Sequence, residues 1–125
     1  MTRRSIVSIL ALTFLPATGA VPGHAREVVD ILLHGRYFSE PATVRILVDV
    51  EPDANNRTLV IQADSAELFR SSEQGLSGAD EKRMHTFVFK NLPAGHYLLR
   101  AEVRSTSTVR GTATTEVVVT GGGAR

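Results

Sequence analysis

The 125-residue sequence contains no cysteine, no tryptophan and no strong excess of charge of either sign. The lack of cysteine excludes a disulfide scaffold, a thiol nucleophile, a thiolate-bound metal and a lipid anchor attached through cysteine. No apolar run reaches the roughly 20 residues that a membrane-spanning helix needs. The 42% share of hydrophobic residues is ordinary for a globular protein. The sequence therefore predicts one small domain with a modest core.

The N-terminal end has the organisation of a secretory signal peptide. Arg3 and Arg4 form a positive start, residues 5–15 are apolar, and small residues follow. We expect cleavage after Ala20, with cleavage after Ala25 as an alternative, and therefore a secreted or periplasmic protein. Removing Arg3 and Arg4 from the 14 basic residues leaves 12 against 13 acidic residues. No basic run remains, which argues against nucleic acid as a partner.

The remaining chain alternates between apolar and polar residues at period two, and turn residues interrupt it about every 8–12 residues. This pattern predicts an all-β fold, a seven-stranded antiparallel Ig-like sandwich over residues 26–120. Residues 1–20 are then the signal peptide, residues 121–125 a flexible tail, and residues 72–83 a polar loop, with a short edge strand as an alternative for part of it. The predicted strands are residues 28–33, 43–50, 58–64, 67–71, 86–90, 96–104 and 112–120. Residues 67–71 give the weakest strand pattern, and a helical turn is the alternative there.

Residues 87–97 (FVFKNLPAGHY) form the most specific segment of the chain. This segment resembles the turn between the E and F strands of fibronectin type III and bacterial Ig-like domains. The resemblance implies a structural tyrosine corner, in which the Tyr97 hydroxyl bonds to upstream backbone, Leu92 packs beneath and Gly95 belongs to the turn. That family consists chiefly of binding and spacer modules. It usually buries a tryptophan on its third core strand, a place that Leu59 or Ile61 takes here.

This motif fixes which face of each strand points inward, and so separates a predicted core from an outer surface. By the same alternation Val60, Leu98 and Val118 point outward, and the topology implied by the resemblance places them on one sheet, with Arg100 in their charged rim. We expect this face, or the loop 72–83, to contact a protein partner or a second copy of the chain. The predicted core consists of Val44, Ile46, Val48, Leu59, Ile61, Phe87, Phe89, Leu92, Tyr97, Leu99, Ala101, Val103, Val117 and Val119.

No motif in the sequence supports catalysis. A Gly-x-Ser-x-Gly elbow and a glycine-rich phosphate loop are both absent, and no two histidines have the short spacing of a zinc site. We therefore expect a non-catalytic binding module that needs no metal or other cofactor and has no membrane span after signal cleavage.

Two other ligand classes stay open. A carbohydrate-binding module would use aromatic rings outside the core, for which Tyr37, Phe38 and Phe69 are the candidates. A small periplasmic copper-binding protein would use His24, because cleavage after Gly23 would place a free amine and an imidazole on the same residue.

We predict that the exported protein begins at Val21, because the apolar segment and the small residues after it direct cleavage to Ala20. N-terminal sequencing of the exported fraction, together with the intact mass, measures this directly. An exported chain that retains Met1 would contradict the signal peptide, and a chain that begins at His24 would favour the copper interpretation.

Overall fold

The computed structural model describes residues 28–121, which form two β-sheets and one short 3-10 helix. The eight strands are β1 (Val29–Leu32), β2 (Tyr37–Ser39), β3 (Ala42–Val50), β4 (Thr58–Asp64), β5 (Phe69–Gly75), β6 (Met84–Leu92), β7 (Gly95–Arg104) and β8 (Val109–Thr120). The 3-10 helix spans Gly78–Asp80, between β5 and β6. The smaller sheet has the strand order β1-β3-β6, and the larger has the order β2-β8-β7-β4-β5.

The all-β prediction is confirmed, but the strand count of seven is wrong for the described residues, which form eight strands. The additional strand is β2, and it pairs with β8 in parallel, so the sandwich is not purely antiparallel. After β1 the chain leaves the smaller sheet and crosses to the edge of the larger one, where the Val118 amide donates to the Arg36 carbonyl at 2.7 Å. A three-residue strand is too short to show alternation in the sequence. The predicted signal peptide and His24 lie outside the described residues.

The core lies between the two sheets and matches the residues that alternation selected. All fourteen predicted core residues are buried, and the most accessible of them, Phe87, is 7% exposed. Leu59 and Ile61 are both fully buried in the larger sheet.

The turn between β6 and β7 carries the hydrogen bond that defines a tyrosine corner. The Tyr97 hydroxyl donates to the Pro93 carbonyl at 2.7 Å, while the ring itself is 1% exposed. Leu92 is equally buried, and Asn91 adopts a positive φ of 60° at the turn. Packing does not require a glycine at position 95, since a Cβ there would lie 3.5 Å from the Tyr97 ring, which is an ordinary van der Waals contact.

One glycine is required by close packing. A Cβ at Gly111 in β8 would lie 2.8 Å from the Val28 Cβ, closer than real side chains approach. The missing side chain lets the chain entering β1 pass directly against β8. The two sheets therefore meet closely along this side of the sandwich.

We predict that Tyr97→Phe lowers the free energy of unfolding by about 1 kcal/mol, because it removes one intramolecular hydrogen bond and leaves the buried ring in place. Urea unfolding followed by circular dichroism measures the change. The matched control is Tyr37→Phe, whose ring is 76% exposed and which we expect to be neutral. Equal effects from both substitutions would contradict a stabilising role for the Tyr97 hydroxyl.

Candidate binding face

The outer face of the larger sheet is set by the alternation of its central strand, β7. The inward side chains of β7 are Tyr97, Leu99, Ala101 and Val103, each at most 1% exposed. The side chains between them must therefore point away from the core. Leu98 is one of these, and it is 41% exposed.

Leu98 lies between two carboxylates on adjacent strands. In the register of the sheet, Asp64 of β4 and Glu116 of β8 are its direct neighbours on either side. Phe69 of β5, which is 56% exposed, is paired with Asp64 and extends the row to the sheet edge. The row thus alternates apolar and acidic residues across four strands. Because antiparallel neighbours lie about 5 Å apart, the backbones of the two acidic residues are about 10 Å apart.

A groove of about 300 Å³ lies along the part of this row formed by Asp64, Leu98 and Glu116. It continues into a second depression of about 230 Å³ that reaches Ala94 in the turn before β7 and Gly95 at the start of β7. The two depressions share Ser65, Ala66 and His96 in their walls, so they form one continuous surface at this end of the sandwich.

The charges of this face are unevenly paired. Arg100 and Arg104 both form ion pairs with Glu102, at 3.4 and 2.8 Å. Within residues 28–121, Asp64 and Glu116 form no ion pair with any basic side chain. The groove end of the face is therefore acidic, while Arg100 and Arg104 of β7, one and three outward rows away, are already paired with Glu102.

Arg36 approaches β8 without neutralising this end. Its Nη1 donates to the Thr115 hydroxyl at 2.7 Å and to the Glu116 backbone carbonyl at 3.1 Å. Because side chains alternate along a strand, Thr115 and Glu116 point to opposite faces of β8. The guanidinium is thus held at the Thr115 side and forms no ion pair with the Glu116 carboxylate.

The four residues predicted as an interface differ in accessibility. Leu98 is exposed, the Arg100 side chain is 45% exposed, and Val118 is half-buried between its register partners Tyr37 and His96. Val60 occupies the outer face but is only 4% exposed.

The burial of Val60 has a visible cause in the register of the sheet. Its partners on the two adjacent strands are Glu73 and Glu102, whose longer side chains flank it on both sides. Alternation gives the direction of a side chain, but it does not say whether longer neighbours cover it. Val60 therefore adds little contact area to this face.

The predicted loop 72–83 is partly a strand, because β5 continues to Gly75 and covers the edge of β4. Its side chains are mostly polar on both faces, which removes the alternation signal from the sequence. Arg70 donates to the Lys90 carbonyl at 2.6 Å and so connects β5 to the edge of the other sheet. Leu76, which follows β5, is buried at 8% exposure. The remaining loop, residues 76–83, is shorter than the predicted one and connects β5 to β6.

The outer face of the smaller sheet holds a second group of exposed apolar side chains, which was not predicted from the sequence. Leu32 is 40% exposed, and Met84 and Val88 are each 39% exposed. Leu47 is the register partner of Leu32. None of these side chains lines either of the two depressions described above.

Polar residues in the turn after β3 serve the fold. The segment Asn56–Thr58 matches a glycosylation acceptor pattern, but Asn56 is 1% exposed. Its amide donates to the Glu51 carbonyl at 2.9 Å and accepts from Arg110 at 2.6 Å. Arg110 also pairs with Asp53 at 3.3 Å. These contacts make Asn56 a buried connection between the β3–β4 turn and β8.

Metal and membrane features are limited in the described chain. Residues 28–121 hold no group of three or more histidine, aspartate or glutamate side chains arranged to bind a metal ion. No helix in this range is long and apolar enough to cross a membrane.

Solved structures similar to this chain are β-sandwich proteins of low sequence identity. Superoxide reductase (neelaredoxin) from Ignicoccus hospitalis is 14% identical, with a TM-score of 0.56, over 74% of this chain and 80% of that one. A CARDB domain from Pyrococcus furiosus is 18% identical, with a TM-score of 0.50, over 74% of this chain and 93% of that one. No protein-family model matches the sequence, and no curated protein matches it either. These likenesses show the sandwich fold alone.

β6 carries a buried histidine, His85, whose side chain faces Gln74 of β5 on the other sheet. His85 is 1% exposed, its Nδ1 lies 2.8 Å from the Gln74 amide nitrogen, and its Nε2 has no hydrogen-bond partner in the described chain. Burial lowers the pKa of His85 below the ordinary histidine value, and the charge of Lys82 adds to this shift. The charge of Glu81 and a backbone hydrogen bond with Lys82 oppose the shift without cancelling it. The neutral imidazole accepts the Gln74 amide proton at Nδ1, and protonation would place a charge in a position where burial makes it unfavourable.

We predict that stability falls between pH 7 and pH 5, and that His85 contributes to this fall. Since its folded-state pKa is lowered, the unfolded chain binds the proton first. The stabilisation is complete above the ordinary histidine pKa of about 6.5 and is lost as the pH falls from there towards the folded-state pKa. The measurement is the free energy of unfolding at both pH values for wild type and His85→Gln.

The matched control is His34→Gln, which alters an exposed histidine and should retain the pH dependence of the wild type. His85→Gln should show a smaller loss between the two pH values, whatever its absolute stability. An undiminished loss in His85→Gln would refute the assignment.

Proposed function

We propose that this chain is an exported, non-catalytic binding module of the Ig-like or fibronectin type III-like kind, and that it contacts another protein through the outer face of its larger sheet. The observation that carries the proposal is Leu98, which is 41% exposed beside a groove of about 300 Å³. An apolar centre with a polar rim is the common composition of a protein interface. The rigid sandwich beneath holds this surface in one shape.

The layout of the fold supports the choice of family. The chain crosses between sheets after β1, and Tyr97 bonds to the Pro93 carbonyl at the turn before β7. Both features suit an Ig-like module whose activity is binding. The N-terminal segment supports export, on the argument from its charge and hydrophobicity.

A second candidate is carbohydrate binding, favoured by two exposed rings on the same face. Tyr37 is 76% exposed at the β2 edge, and Phe69 is 56% exposed at the β5 edge. Five strands separate these edges by four spacings of about 4.8 Å, so the rings lie about 20 Å apart across the acidic groove. Aromatic rings beside a polar groove are a usual means of holding sugar rings.

We predict that the purified protein captures a protein from the native exported fraction, and that Leu98→Asp abolishes the capture. The substitution places a charge at the apolar centre of the face, where desolvating it opposes binding. Pull-down with wild type, Leu98→Asp and Val88→Asp measures this, with folding checked by circular dichroism. Val88→Asp is the matched control, because Val88 is similarly exposed at 39% but lies on the opposite sheet.

Capture should persist with Val88→Asp and disappear with Leu98→Asp. Capture that survives Leu98→Asp, or that is lost only with Val88→Asp, would contradict the proposed face. If a polysaccharide is recovered instead, and is lost with Tyr37→Ala and Phe69→Ala, the carbohydrate candidate replaces the protein partner.

A further inference from the structure

We propose that the row formed by Phe69, Asp64, Leu98 and Glu116 binds an extended protein segment that presents one apolar side chain between two basic ones. This proposal rests on the proposed function and names the chemistry of its partner. The juxtaposition that carries it is an exposed leucine between two unpaired carboxylates on three adjacent strands.

The geometry of the row sets the direction of the partner. Asp64, Leu98 and Glu116 lie on β4, β7 and β8 at one level of the sheet, so their line runs across the strands. An extended segment laid along this line presents every second side chain to the face. Its first and fifth residues lie about 13 Å apart, against about 10 Å between the backbones of the two acidic residues. Long arginine or lysine side chains bridge that difference.

The charge pattern selects a basic segment. Asp64 and Glu116 form no ion pair within residues 28–121, whereas Arg100 and Arg104 of the same face are both engaged by Glu102. An acidic partner would meet two uncompensated carboxylates here. A basic partner finds both of them unoccupied, and complementary charge raises the association rate and fixes the register of binding.

The apolar positions provide the rest of the contact. Leu98 lies midway between the carboxylates, and Phe69 continues the row beyond Asp64. A leucine-sized side chain at the centre of the segment would cover Leu98 and displace water from it. The groove beside the row, with His96 and Ser65 in its wall, provides the space for this side chain.

A second copy of this chain fits the row less well. A symmetric dimer centred on Leu98, with the two rows aligned, sets carboxylate against carboxylate. Like charges directly opposed are unfavourable. The proposed occupant of the row is therefore a basic segment of another protein, and self-association would appear in the test as a dimer.

The test is a titration of the isotope-labelled exported protein with a synthetic peptide of central sequence Arg-Ser-Leu-Ser-Arg, followed by amide chemical shifts. The shifts should concentrate at Asp64, Leu98 and Glu116. Two control peptides, Glu-Ser-Leu-Ser-Glu and Arg-Ser-Ser-Ser-Arg, test the charge and the apolar centre separately. Both should bind at least several-fold more weakly than the first peptide.

Substitutions then assign the charges. Asp64→Asn and Glu116→Gln should each weaken binding of the Arg-Ser-Leu-Ser-Arg peptide about 3-fold, and together about 10-fold, as expected for exposed ion pairs. Glu73→Gln is the matched control, since this exposed carboxylate lies on the same face two rows away. Its affinity should equal that of wild type. Raising the salt concentration should weaken wild type more than the double variant, because salt screens exposed charges.

Equal affinity for the Arg-Ser-Leu-Ser-Arg and Glu-Ser-Leu-Ser-Glu peptides, or unchanged affinity in the double variant, would overturn the proposal. Sedimentation that shows a dimer dispersed by Leu98→Asp would assign the row to a second copy instead. The variants also distinguish failure of the basic-segment proposal from failure of the proposed binding face. A native partner lost with Leu98→Asp but retained by the Asp64→Asn, Glu116→Gln variant would keep the binding face and reject only the basic segment.

Discussion

The packing of the inward side chains of β7 is the constraint on which the rest of the structure depends. Tyr97, Leu99, Ala101 and Val103 fill the space between the sheets, and each is at most 1% exposed. Because β7 is hydrogen-bonded to both β4 and β8, this one strand fixes which face of its neighbours points inward. A shift of one residue would exchange the core and surface faces of the strand. The tyrosine corner at its start opposes such a shift through the bond from Tyr97 to Pro93.

The outer face follows from this constraint. Once Tyr97 and Leu99 point inward, Leu98 must point outward, and the register then brings Asp64 and Glu116 to its two sides. No loop has to order for these side chains to lie together. The proposed binding face therefore follows from core packing and is held by the same hydrogen bonds as the sheet. Its acidity arises because the nearby arginines are paired with Glu102.

Period-two alternation predicted the core well because each core strand buries only one of its faces. Val44, Ile46 and Val48 of β3 illustrate this, since each is fully buried while Arg45 between them is exposed. The same signal finds only the first part of β5, predicted as 67–71 and observed as Phe69–Gly75, because the residues of this edge strand are mostly polar on both faces. It fails for β2, which is too short to alternate and forms through its parallel pairing with β8.

For the candidate site, the sequence pattern predicts which side chains point outward, but not how they are arranged relative to one another. Alternation places Leu98 on the outer surface, yet its position between Asp64 and Glu116 depends on the pairing of strands far apart in sequence. Val60 shows a second property that alternation does not predict, its accessibility. It points outward as alternation indicates, but it is buried between its flanking glutamates. Accessibility depends on the length of neighbouring side chains, which only the register reveals.

Carboxylate footprinting would show whether a partner covers this face. The purified protein would be treated with a carbodiimide and an amine, alone and in the presence of a protein fraction from its native source, and modified sites located by mass spectrometry. We expect Asp64 and Glu116 to be modified in the isolated protein and protected in the presence of the fraction, while Asp30 on the opposite sheet is modified in both. Protection of Asp30 with continued modification of Asp64 and Glu116 would contradict the proposed binding face.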